Sequence, residues 1–350
     1  MPFVLHIGFD FWGAGNLGDD LMLAGFQSWW RAREPDLRIS ALCAHDIAAM
    51  RRRFPDIQWF GSDPAAQAQA LQQADAWIGL GGGVFQTEVG PWILDQMAMN
   101  MAAARARGIR CFLVGVGVNN EEALSTGQAH QVCQLASQIW MRDQGCTDLA
   151  LRAGFQPEIT RLGADTAHLL GAEFSRLRDS DRRASAFVLH ASPTIVSPDA
   201  IARVIAQSDE PWRWVCQESR TLADSEMELY ATLPAAVRAR LPLAQIDYAH
   251  ASLPEIMAQA ASWHRVLSSR YHTTLASAWA GAEIAVFERN YKLRAIREEL
   301  GIEPCASLAD PVEMVRSLGA ARAVARDSLE LCFSRANRMM EGLRRELGLG

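Results

Sequence analysis

The chain has 350 residues, of which 49% are hydrophobic and 21% charged, and its formal net charge is −6. That length is comfortable for two domains, and the composition is that of a soluble globular protein. Lys and Arg are scattered, which argues against nucleic acid as a partner, and no apolar run approaches the ~20 residues of a membrane span.

Residues 3–9 (FVLHIGF) read as a buried strand, with His6 as a core or edge histidine. Residues 13–20 (GAGNLGDD) form a glycine-rich loop, followed by a helix carrying Met22, Phe26, Trp29 and Trp30 on one face. Gly13, Gly15 and Gly18 match the spacing of a dinucleotide fingerprint. Asp19 and Asp20 at the helix start would repel a pyrophosphate and suit the helix dipole or sugar hydroxyls better. Strands follow at 37–43, 57–60 and 75–80, with a Pro-initiated helix at 64–74. The third of these strands runs into Gly81-Gly82-Gly83-Val84-Phe85-Gln86. Three glycines there require close approach of the backbone to a ligand or a neighbouring helix, or positive φ.

A helix at 91–107, an apolar strand at 111–118, a helix at 127–138 and strands at 139–142 and 159–162 continue the alternation. Asp143 reads as a helix cap. The series predicts a doubly wound parallel sheet. Residues 171–184 are polar and aperiodic and read as a linker. A second alternating series follows, with strands at 186–190 and 212–216 and helices at 198–207 and 254–263. The expected organisation is therefore domain 1–172, linker 173–184, domain 185–325, and a C-terminal helix 326–350 free to cross back to the first domain. Two such halves leave a cleft, and ligands bind in clefts at strand C-termini.

The most informative stretch is 266–292. A short strand ends at Leu267, a turn carries Ser268, Ser269, Arg270, Tyr271 and His272, and Thr273 opens a helix closed by Gly281. A strand turning into a helix directs backbone N–H groups and the positive dipole end at an anion. An Arg fork, hydroxyls and an imidazole at that turn make an anion pocket with a proton-transfer group, and Lys292 downstream supplies a second cation.

Seven cysteines (43, 111, 133, 146, 216, 305 and 332) are odd in number and lack CxxC spacing, as expected of reduced thiols. With no HxxxH pattern and no clustered carboxylates, no metal is expected. The N-terminal residues lack the basic segment and cleavage site of a signal peptide. A cytoplasmic protein is expected, with peripheral attachment to a membrane left open.

Five features in order resemble the polysaccharide pyruvyl transferase family. They are Asn16-Leu17-Gly18-Asp19 after the first strand, Gly81 to Phe85, Gly115-Val116-Gly117, Arg142-Asp143 with Asp165 further on, and Ser268-Ser269-Arg270-Tyr271-His272 with Lys292 downstream. The resemblance spans roughly residues 5–295. It implies an α/β fold of two Rossmann-like domains facing a cleft, glycosyltransferase-B-like. It implies transfer of the enolpyruvyl unit of phosphoenolpyruvate onto two hydroxyls of a sugar, giving a cyclic ketal, with no cofactor beyond that donor.

On this reading His272 is the acid/base, and Asp19 is the second catalytic residue, an acceptor-side contact with Asn16. Arg270, Ser269, Thr273, Lys292 and His190 hold the donor, and Asn16, Gly18, Gly82 and Gly83 face the acceptor. One departure stands out. Related enzymes often place an additional Arg near the first strand of the second domain, and here that strand reads Phe187-Val188-Leu189-His190-Ala191-Ser192, with no Arg. Two alternatives stay open: a glycosyltransferase of the same fold using a nucleotide sugar, with Glu288 as ribose-binding carboxylate, and a non-catalytic glycan-binding protein. The acceptor, lipid-linked or not, and the oligomeric state are not encoded legibly.

Overall fold

The computed structural model describes residues 2–88, 90–177, 184–218 and 225–349. The chain divides into two compact units: Met1–Gly13 with Asp19–Leu170 and Leu331–Gly350, and Ala14–Gly18 with Gly171–Glu330.

In the first unit the strands are β1 (Val4–Ile7), β2 (Arg38–Cys43), β3 (Ile57–Gly61), β4 (Ala76–Leu80), β5 (Arg110–Val116), β6 (Gln138–Met141) and β7 (Thr160–Leu162). They lie in the order β3-β2-β1-β4-β5-β6-β7, all parallel. The order reverses beside β1, which is the doubly wound arrangement. Every residue of β4 is buried, as a strand covered by helices on both faces requires. His6 lies inside this core, where its Nδ1 pairs with Ser40 Oγ at 3.0 Å. Burial pulls its pKa down to about 4.

In the second unit the strands are β8 (Ser185–Val188), β9 (Trp212–Cys216), β10 (Leu243–Gln245), β11 (Arg265–Ser268), β12 (Glu283–Phe287), β13 (Glu303–Cys305) and β14 (Arg322–Ala323). Six run parallel in the order β10-β9-β8-β11-β12-β13, and β14 pairs antiparallel with β12. The core packs Phe187, Trp212 and Trp214 against helix Pro198–Ala206 and helix Pro311–Ala320. Both units are Rossmann-like.

The structure revises three local expectations. Gly171–Arg176 is helical: Phe174 is fully buried, and Gly171 sits against the Trp279 ring. The polar stretch thus carries its own anchors, and the rest of the expected linker, 178–183, lies outside the described residues. The helix expected from Thr273 begins two residues earlier, at Tyr271, so that Arg270 is its N-cap. Two short helices, Glu226–Thr232 and Ala235–Arg240, lie between β9 and β10, where no element was expected. All seven cysteines are free and buried.

Candidate active site

The best-defined cluster of polar groups is built on the loops after β8, β9, β11 and β12 of the second unit. Two serines fix its frame. Ser268 Oγ accepts from Arg270 N–H and donates to Arg270 C=O, both at 3.0 Å. Ser269 Oγ accepts from His190 N–H at 2.7 Å and donates to His190 C=O at 3.1 Å. The Ser269 hydroxyl, expected to hold the donor, is therefore engaged with backbone and buried. It ties the β8 exit to the β11 turn. Thr273 is also fully buried, with no partner for Oγ1 among the described residues.

Arg270 faces two carboxylates. Its Nε and Nη2 donate to Glu226 Oε1 and Oε2 at 2.5 and 3.0 Å, a bidentate fork, and Nη2 also donates to Glu218 Oε2 at 2.6 Å. Burial opposes its charge, but the paired carboxylates outweigh burial and hold the guanidinium above its ordinary range. Glu218 Oε1 in turn accepts from Asn16 Nδ2 at 3.0 Å, and Asn16 Oδ1 accepts from Gly18 N–H at 2.8 Å. Asn16, Glu218, Arg270 and Glu226 thus form one connected chain of charge-assisted bonds. Sequence reasoning missed both glutamates. Glu218 follows β9 and Glu226 opens helix Glu226–Thr232, both more than forty positions before Arg270, and no local pattern announces them.

His272 lies in the first turn of helix Tyr271–Trp279, with the Tyr271 ring edge-on to it at 5.0 Å. A Cβ on Gly18 would overlap the His272 imidazole. Gly18 is therefore glycine because the ring occupies the space a side chain would take. The structure thus brings Asn16, Gly18, Arg270 and His272 together.

His190 leaves β8 beside them. Its pKa is pushed down to about 2, by burial first and then by the positive charges of Arg270, Arg289 and Lys292. The imidazole is neutral across any working pH, and its buried Nδ1 has no hydrogen-bond partner among the described residues. Lys292, the only lysine in the chain, lies in the first turn of helix Tyr291–Leu300, which Asn290 caps. Arg270, Arg289 and Lys292 thus act on His190 together with the Glu218 and Glu226 carboxylates that pair with Arg270. His190, Glu218 and Glu226 place ligand atoms within 4.8 Å of one another, a spacing a divalent ion could use. Arg270 already occupies both carboxylates, however, and the cations around His190 oppose a further positive charge.

The remaining expected residues belong to the first unit. Asp19 is in the first turn of helix Leu17–Arg33. Its neighbour Asp20 is buried and paired with Arg53 at 3.0 Å, so Asp20 serves the core rather than a sugar. Gly81 and Gly82 adopt φ of +61° and +79°. A Cβ on Gly81 would overlap Met22, and one on Gly83 would overlap Asn119. At those two positions the close approach is by protein side chains, while Gly82 has room for a side chain but not the backbone for one. Asp143 caps helix Gln144–Arg152, accepting from Cys146 N–H at 2.7 Å. Glu288, the carboxylate expected of a ribose site, is paired with Arg294 and Arg297.

Residues 16–291 match the sequence model of the polysaccharide pyruvyl transferase family. No curated protein matches the chain in sequence. Among solved structures, Anabaena HepE in complex with UDP and glucose is similar with a TM-score of 0.63 at 11% identity, over 99% of this chain and all of that one. UDP-N-acetylglucosamine 2-epimerase from Rickettsia bellii gives 0.65 at 11% identity, over 99% and 95% of the two chains. A UDP-glucosyltransferase from Polygonum tinctorium gives 0.55 at 13% identity, over 100% and 99%. These likenesses establish a glycosyltransferase-B-like fold.

Proposed function

This chain belongs to the polysaccharide pyruvyl transferase family and is a transferase, and we propose that it moves the enolpyruvyl group of phosphoenolpyruvate onto a sugar of a glycan precursor. The observation that carries the donor assignment is the buried His190 Nδ1, which has no hydrogen-bond partner among the described residues, set near Arg270, Arg289 and Lys292. Arg289 and Lys292 bring positive charge for a small dianion, and the N-terminus of helix Tyr271–Trp279 adds N–H donors. On this reading His190 stands in for the Arg that the family resemblance leads one to expect near this strand. It accepts or donates one hydrogen bond without adding charge, and Lys292 and Arg289 supply the cations.

In this reaction a proton goes to the methylene carbon of the donor, a sugar hydroxyl adds at the neighbouring carbon, and a second hydroxyl displaces phosphate there. The products are a cyclic ketal and inorganic phosphate. His272 is the group for proton transfer, a step worth typically ~10²–10⁴-fold. Arg270 is the donor anchor through its Nη1 edge, since Nε and Nη2 are directed at the glutamates. Asn16 and Gly18 orient the acceptor-side loop against His272, with Asp19 and the Gly82 backbone as acceptor-side groups.

A nucleotide-sugar reading is disfavoured because Glu288 is held by two arginines. The test is to incubate the protein with phosphoenolpyruvate and a panel of free, nucleotide-linked and lipid-linked glycans. Release of inorganic phosphate that depends on one glycan class, with a pyruvyl mass gain on that glycan, is expected. Glycosyl transfer from a nucleotide sugar without phosphate release from phosphoenolpyruvate would overturn the proposal.

A further inference from the structure

We propose that an arginine-lined cavity in the first unit seats the phosphate headgroup of an anionic phospholipid and so docks the protein on a membrane surface. The cavity has a volume of about 720 Å³ and is formed between helix Arg326–Glu346 and the β6–β7 edge of the sheet. Arg161, Arg335, Arg338 and Arg345 line it against a single lining carboxylate, Glu346, with Trp140 also in its wall. Four guanidinium groups around one concavity contrast with the chain's net charge of −6. Among the described residues Arg161, Arg338 and Arg345 make no ion pair, so their charge is not already matched.

The sequence builds this face deliberately. Leu329, Cys332, Ala336, Met340 and Leu343 of the helix, and Leu347 just after it, are buried. The cavity receives the other stripe, Leu331, Arg335, Arg338, Gly342 and Arg345, spaced at alternating four and three positions. Gly342 supplies no side chain where the helix passes Trp140, and its Cβ position lies 3.4 Å from that ring, which leaves the concavity open. Arg is the cation suited to forked contact with phosphate oxygens.

Two leucines in the cavity lining decide between a soluble anion and a lipid. Leu331 is 58% exposed and Leu162 is 37% exposed. A free phosphate would leave both in water, whereas an acyl boundary covers them while the arginines reach the headgroups. No helix among the described residues is long and apolar enough to cross a membrane, so the contact is one of surface docking. A chain of net charge −6 is repelled by an anionic bilayer as a whole, so electrostatic attachment requires a local basic patch of this kind.

The full chain is floated with vesicles of phosphatidylcholine alone and with vesicles containing phosphatidylglycerol as well. Association with the second kind only, reversed by added salt, is expected. Arg338→Glu with Arg345→Glu should lower the partition coefficient roughly tenfold or more. Leu331→Glu and Gly342→Leu, which spoil the apolar rim and fill the cavity, should each weaken association while the thermal melting curve stays cooperative. Equal flotation of all four proteins would overturn the proposal. So would binding of inorganic diphosphate at the arginines with no vesicle association, which would make this a soluble-anion site. Absence of binding to either probe would also sink it.

Discussion

The central guanidinium is less free to grip an anion than an Arg-x-His turn suggests. Arg270 lies between Glu226, which is 1% exposed, and Glu218. Arg270→Ala would leave Glu226 charged, buried and unpaired, at a stability loss of roughly 3–5 kcal/mol. Adding Glu226→Gln should restore most of that stability without restoring donor binding, as melting curves and phosphoenolpyruvate titration of both variants would show. Recovery of binding in the double variant would mean that Arg270 only neutralises Glu226. A second residue-scale prediction concerns Gly18. Gly18→Ala must displace the His272 ring, so kcat should fall at least about tenfold with little change in melting temperature. Unaltered turnover would remove the His272 position from the chemistry. The sequence made Arg270, His272, Asn16 and Gly18 legible because glycine, amide, guanidinium and imidazole recur at short spacing beside strand ends. Glu218 and Glu226 were illegible because they meet Arg270 only through the β8–β9–β11 pairing. Ser269 was misread because a hydroxyl at a turn bonds backbone as readily as ligand.

At the scale of elements, alternation of apolar strands with amphipathic helices was enough to predict the first sheet and the central strands of the second, because buried parallel strands leave near-continuous apolar runs, while the short strands β10, β13 and β14 were missed. The failures came where one or two residues carry the packing. Phe174 and the Gly171–Trp279 contact hold a helix that charge composition disguised. The turn of three glycines reads the same whether ligand or protein approaches it, and Met22 and Asn119 settle two of its positions. The pairing of β1 with β2 carries a pH prediction. Unfolded His6 takes a proton near its ordinary 6.5, but folded His6 only near 4. Within that window the unfolded state holds the extra proton. The contribution of His6 is therefore complete above pH 6.5 and is lost as pH falls, by up to about 1.4 kcal/mol per pH unit. Denaturant unfolding of the wild type and His6→Gln from pH 7 to pH 4.5 should show the steeper loss in the wild type. Parallel curves would mean that His6 is protonated in the fold.

For the molecule as a whole, two Rossmann-like units make a general scaffold for sugar chemistry, and solved structures of the same fold carry UDP or UDP-sugars. The fold therefore does not choose the donor, and the proposed choice rests on the charges of the second unit's loops. On that proposal Arg289 and Lys292 near His190 meet a compact dianion, Arg270 being already paired with Glu218 and Glu226, and Glu288 is withdrawn into ion pairs. The most direct measurement is thermal unfolding of the wild type and of Lys292→Gln with phosphoenolpyruvate or with UDP. At about one hundred times the Kd, phosphoenolpyruvate should stabilise the wild type by about 2.7 kcal/mol, the shift should shrink in Lys292→Gln, and UDP should give none. Stabilisation by UDP with no response to phosphoenolpyruvate would contradict the account.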